Sequence, residues 1–135
     1  MNLLFYIKLY LLTIPVFFFV DLLWLGVVAR SLYRDSLGHL LADRINWPAA
    51  VVFYLIYIVG ILVFAVAPGL RDGSIGKTLL LAAGFGFFTY ATYELTNMAT
   101  LPRWPLKIVI IDIAWGMVLC TGVAGAAFLI AKRLL

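Results

Sequence analysis

Four apolar runs, each close to the length needed to cross a bilayer, leave this chain few ways to fold. They cover about 9–29, 49–67, 78–100 and 108–131. A hydrocarbon core about 30 Å thick needs roughly 20 residues of helix. Backbone in lipid must also satisfy its own hydrogen bonds, which a helix does within one segment. The chain therefore reads as all-α, a four-helix transmembrane bundle forming a single integral membrane domain over residues 1–135. Composition agrees. Hydrophobic residues make up 66% and charged residues 12% of the chain, where a soluble domain has about half and about a quarter.

The flanks of the runs fit this reading. Lys8 and Arg30 bracket the first run, Trp47-Pro48 and Pro68-Gly69 the second, and Lys132-Arg133 close the fourth. The first run is longer than the apolar part of a signal peptide and contains Asp21 and Trp24, so it is expected to be retained as a span. Pro15 lies inside it and is expected to kink it. The net charge of +4 falls at helix ends, which suits contact with membrane lipid headgroups and provides no nucleic-acid footprint. Cys120, the single cysteine, can form no internal disulfide.

Only the connection from Arg30 to Trp47 is long. Tyr33, Leu37, Leu40, Leu41 and the stem of Arg44 share one side at helical spacing, which predicts an interfacial amphipathic helix in the headgroup plane. Arg30, Arg34 and Arg44 would then sit over the mouth of the bundle and favour an anionic or headgroup-bearing ligand. The charge rule for orientation ends in a tie. Lys8, Arg71, Lys77, Lys132 and Arg133 lie on one side; Arg30, Arg34, Arg44, Arg103 and Lys107 lie on the other. Four spans place both termini on the same side, taken here as cytoplasmic.

Polar residues inside the runs gather at one depth. At the 1.5 Å rise of a helix, Asp21 lies roughly 13 Å below Arg30, and Tyr54 and Tyr57 roughly 10 and 15 Å past Trp47. By the same rise, Glu94 is roughly 12 Å and Asn97 roughly 7 Å before Pro102, while Asp112 and Trp115 follow Lys107 by roughly 7 and 12 Å. Each helix also repeats a polar step three residues apart: Asp21 and Trp24, Tyr54 and Tyr57, Tyr90 and Tyr93, Glu94 and Asn97, Asp112 and Trp115. Residues so spaced share a helix face. The spacing thus predicts an inward polar band made of Asp21, Trp24, Tyr54, Tyr57, Tyr90, Tyr93, Glu94, Asn97, Asp112 and Trp115.

An acid at mid-helix costs roughly 3 kcal/mol on insertion scales, so it normally faces protein or water and finds a partner. Here no Lys or Arg lies among the three acids, and repulsion with poor solvation favours a shared proton or an intervening cation. Buried carboxyls of this kind serve proton relays, cation sites and acid catalysts. The plain alternative is a structural network in which Tyr, Thr and Asn glue helices together at about 0.6 kcal/mol per hydrogen bond. Other signals are bland. Gly76-Lys77-Thr78 lacks the first glycine of a phosphate loop, His39 falls in the amphipathic connection, and no His/Cys zinc set or Ser-His-Asp arrangement occurs in the band. Ala82-x-x-x-Gly86 and Gly122-x-x-x-Ala126 permit close helix approach within the bundle or in a homo-oligomer.

Asp21-x-x-Trp24, Tyr93-Glu94-Leu95-Thr96-Asn97-x-Ala99-Thr100-Leu101-x-x-Trp104-Pro105 and Asp112-x-x-Trp115-Gly116 carry a resemblance over nearly the whole chain. It resembles a bacterial family of small four-helix predicted membrane proteins described as domain of unknown function 2177. The resemblance implies a bacterial inner-membrane location and brings no activity with it. Three readings follow from the residues. The band binds or carries a small or lipid-like molecule, with or without a coupled proton; or it is an intramembrane enzyme site using paired carboxyls on a lipid-like substrate; or the chain is an accessory subunit whose band sets helix register. Glu94 is expected to matter most, Asp21 nearly as much, and Asp112 less, as a shallow acid near Lys107. The sequence names no cofactor and no catalytic residue.

Overall fold

Short polar side chains set where three of the helices begin. Asn2 accepts from the Phe5 N–H at 3.0 Å, Asn46 from the Ala49 N–H at 3.2 Å, and Ser74 from the Lys77 N–H at 3.1 Å. Each satisfies a backbone donor that a helix start otherwise leaves unpaired. In the computed structural model, which describes residues 1–135, every regular element is helical. They are α1 Leu3–Val28, α2 Arg30–Leu37, α3 Trp47–Arg71, α4 Ile75–Thr100 and α5 Leu106–Leu134.

Two of the long helices contain a wide π turn. In α1 it covers Trp24–Val28, closing with the Ala29 N–H on the Trp24 carbonyl at 2.8 Å. In α3 it covers Leu62–Val66, just ahead of Pro68. Pro68 has no N–H and crowds the carbonyl four residues back, and a widened turn relieves both. Pro15 interrupts nothing: the helix runs unbroken from Leu3 to Leu23 around it.

α1, α3 and α5 are long and apolar enough to cross a membrane. α4 has the length, 26 residues, but falls short in apolarity because its C-terminal half carries Tyr90, Tyr93, Glu94 and Asn97 among threonines. Those threonines turn outward. Thr92, Thr96 and Thr100 each donate to the carbonyl one turn back, of Phe88, Thr92 and Thr96 respectively. A hydroxyl bonded to its own helix presents mainly its methyl group to the outside. The outer surface is otherwise leucine, valine, isoleucine and phenylalanine, and only 31 of 135 residues are buried, an arrangement suited to lipid and unsuited to water.

α4 and α5, joined by the short link after Leu101, form an antiparallel hairpin with the most extensive contact in the chain. Its closest point is Gly86 against Gly116. A Cβ on Gly86 would strike the Gly116 carbonyl, and one on Gly116 would enter the Tyr90 ring. Ala82-x-x-x-Gly86 therefore serves packing within the fold, with Ala82 fully buried, whereas Gly122 has no atom within 4 Å of where its Cβ would lie. α1 packs on α5, and the Leu62–Val66 part of α3 packs on α4 and α5. The main core sits at this end, around Leu9, Ile58, Ile61, Val66, Leu119 and Val123.

At the other end the helices part, and a second small core closes the gap. Leu37 of α2 meets Trp104, Ile108 and Val109, with Leu32, Tyr33 and Leu40 against them. The first connection does contain a helix, but it ends at Leu37, and part of its apolar face rests on protein. Leu41 and Arg44 follow in irregular, exposed chain. His39 Nε2 lies 3.2 Å from the Pro102 carbonyl, tying the first connection to the third.

Candidate functional site

Between the two cores the diverging helices leave a cavity of about 660 Å³. Asp21, Glu94 and Asp112, only 5%, 1% and 7% exposed, all line it. The three come from α1, α4 and α5, so the common depth read along the chain corresponds to one place in space.

Each acid is held by an aromatic donor. The Trp115 indole donates to Asp21 Oδ1 at 3.3 Å, and the Tyr54 hydroxyl lies beside the same carboxyl. Trp24 stacks flat on Trp115, with ring centroids 4.4 Å apart and planes 6° from parallel. Its own indole donates to the Tyr33 hydroxyl at 3.0 Å, and Tyr33 donates to Asp112 Oδ1 at 2.5 Å. The Asp112 carboxyl faces that of Glu94 at close range, and Trp104 completes the series by donating to Glu94 Oε2 at 2.8 Å. Three indoles, two phenols and three carboxyls thus form one polar wall.

Local structure explains the placement. Asp21 and Trp24 lie one turn apart, where α1 widens into its π turn, so both side chains leave the same face. Asp112 and Trp115 repeat that spacing on α5, and the close approach at Gly116 brings Tyr90 of α4 against them. On α3, Tyr57 bonds through its hydroxyl to Thr89 at 2.7 Å and to the Cys120 thiol at 3.1 Å, while its ring meets Tyr90 edge-on at 6.2 Å. This links α3 to α4 and α5 beneath the cavity.

Nine of the ten residues expected in the band line the cavity: Asp21, Trp24, Tyr54, Tyr57, Tyr90, Tyr93, Glu94, Asp112 and Trp115. Asn97 does not. It is half-buried, beside the Tyr93 hydroxyl, and its carbonyl accepts the Leu101 N–H that ends α4. Asp112 is not the shallow, solvated acid its place near Lys107 implied, since Tyr33 and the small core cover it. Arg30, Arg34 and Arg44 are exposed, and none lines the cavity.

Two residues of the polar wall were not in the band read from sequence. By spacing Tyr33 belongs to the apolar side of the interfacial helix, and its i, i+4 relation to Leu37 gives no hint that the hydroxyl turns inward. Trp104, between Pro102 and Pro105, looks like an interfacial anchor, yet it is 9% exposed and reaches Glu94. The exposed part of the lining is mostly apolar: Leu25, Leu41 and Phe53, with Tyr93 the one exposed lining residue that carries a hydroxyl. No group of three or more His, Cys, Asp or Glu side chains converges in a way that could hold a metal ion.

Among curated proteins and among solved structures, none matches the chain. The family described as predicted membrane protein (DUF2177) does match, over residues 6–129, and the chain belongs to it.

Proposed function

We propose that this protein binds or carries a lipid-like amphiphile in the cavity, with the polar end of the ligand at Asp21, Glu94 and Asp112 and the apolar part leaving past Leu25 and Phe53. One observation carries this reading: the three acids lie at the buried wall of the cavity, and its exposed mouth is mostly apolar. A pocket of several hundred Å³ with a few converging polar groups is the usual form of a small-molecule site. A structural network would fill such a space with side chains, because a void forfeits packing contacts. Carboxyls buried together without a basic partner can hold a proton and release it when a ligand enters, which suits proton-coupled carriage.

The membrane setting belongs to the same proposal. α4 is about 39 Å long by its rise, as long as its neighbours, and its acid faces the interior. Short connections make α3, α4 and α5 successive antiparallel elements, so all four long helices cross together as a transmembrane bundle in the bacterial inner membrane. Both termini lie on the cytoplasmic side. α2 lies at headgroup level with its arginines outward.

The adjacency of Glu94 and Asp112 favours a second reading, an intramembrane enzyme acting on a lipid-like substrate. One carboxyl would act as acid and the other as base. Purification in mild detergent followed by lipid mass spectrometry separates the alternatives. A carrier retains one amphiphile in near-stoichiometric amount and loses it on Glu94→Gln. An enzyme converts an added lipid, and an accessory subunit retains nothing selectively.

A further inference from the structure

We infer that the ligand's polar end carries a positive charge, an ammonium or quaternary ammonium group on an apolar tail; this rests on the amphiphile reading above and specifies it. The charge balance of the cavity is one-sided. Three carboxyls line it, and no Lys, Arg or His stands among its fifteen lining residues. Glu94 and Asp112 face one another and each receives one hydrogen bond from a neutral donor, Trp104 or Tyr33. Glu94, a side chain 1% exposed, has Trp104 and the carboxyl of Asp112 as its hydrogen-bond partners, and neither is a cation. Neutral donors orient a carboxyl without supplying a counter-charge, so an entering cation is the partner that lets the paired acids ionise together.

The rest of the lining suits the same group. Asp21 lies among Tyr54, Tyr57, Tyr90 and Trp115, and the stacked Trp24–Trp115 pair stands beside it. Aromatic faces around an acid form the setting in which organic cations bind, through the negative face of the rings together with the formal charge. An anionic headgroup meets the opposite: three acids and no basic residue, since the arginines of the first connection lie outside the cavity. A neutral polyol could take hydrogen bonds from this wall but would leave its charge unbalanced in a low-dielectric site.

The test uses the full chain in polyoxyethylene micelles and three probes with one tail: decyltrimethylammonium, decyl glucoside and decyl sulfate. Binding is read by calorimetry and tryptophan fluorescence. The expected result is saturable binding of the ammonium probe, at least about tenfold tighter than either other probe, and a further loss of at least about tenfold on Asp21→Asn or Glu94→Gln. The wild-type comparison needs no variant, so a misfolded mutant cannot rescue the inference; Tyr54→Phe, which keeps every charge, should change affinity less than Asp21→Asn. Equal or tighter binding of the glucoside or sulfate overturns the positive charge and leaves the amphiphile reading in place. Failure of all three probes to saturate overturns both.

Discussion

Trp104→Phe is the sharpest test of whether the polar wall is an energetic unit. The substitution removes the indole N–H that reaches Glu94 Oε2 at 2.8 Å and trims a ring packed in the small core with Leu37, Ile108 and Val109. A hydrogen bond to a charged group contributes about 1.5–3 kcal/mol, and the smaller ring forfeits about 1 kcal/mol of burial. The average hydrogen bond between membrane helices is worth only about 0.6 kcal/mol. The larger figure applies here because Trp104 is the one neutral donor to Glu94, whose other hydrogen-bond partner is the carboxyl of Asp112. Trp104→Phe should therefore cost about 2.5–4 kcal/mol in all. In a Glu94→Leu background, where the acceptor is gone, it should cost only the packing part, about 1 kcal/mol. Reversible unfolding in mixed micelles, followed by circular dichroism over the four-protein cycle, gives the coupling directly. Additivity within about 0.5 kcal/mol would refute the claim that Trp104 supports Glu94.

Four further outcomes are expected. Glu94→Gln should leave the bundle folded, because the amide keeps size and hydrogen bonding, while co-purified ligand disappears. Asp21→Asn should act nearly alike, and Asp112→Asn comparably, given its burial and its bond to Tyr33; retention of ligand by all three variants in quantitative mass spectrometry would count against the site. Gly86→Ala drives a methyl into the Gly116 backbone and should cost about 1–3 kcal/mol, whereas Gly122→Ala, with open space around it, should be neutral or stabilise by up to about 1 kcal/mol in the same unfolding assay. Asp72, in the exposed turn outside the spans, is held below the usual carboxylate range by its hydrogen bond and ion pair with Lys77. Its contribution is present above the unfolded-state value and is lost as pH falls through the depressed folded value. The wild-type melting temperature should therefore fall slightly more than that of Asp72→Asn only at strongly acidic pH, and a difference in slope near neutrality would contradict this. Reporter fusions at the two termini should give the same topology signal; opposite signals would remove α4 from the set of spans.

Much of the fold was legible because lipid permits so few backbone arrangements. Run length placed α1, α3 and α5, and the step of three residues placed nine of the ten band residues on the cavity wall. Failures occurred where a side chain's partner lies far along the chain. Tyr33 pairs with a residue 79 positions away, and nothing near it distinguishes a tyrosine that faces headgroups from one that bends inward. Trp104 was masked in the same way by its proline-flanked loop. Asn97 shows the opposite error, because its i, i+3 relation to Glu94 was real but the cavity ends one turn earlier. Asp112 was misjudged since depth along one helix says nothing about what the first connection lays over it. Periodicity identifies a face; it does not identify the loop that covers that face.

The central claim, that an amphiphile occupies the acid-lined cavity, is most directly tested by photo-crosslinking in native membranes. A benzophenone side chain in place of Phe53, which lines the apolar mouth, would sit against the ligand's tail. Mass spectrometry of the irradiated protein should reveal one dominant covalent amphiphile adduct that is depleted when Glu94→Gln is added. Adducts that mirror bulk phospholipid composition and are indifferent to Glu94→Gln would show that the mouth merely touches the bilayer, and the account would fail.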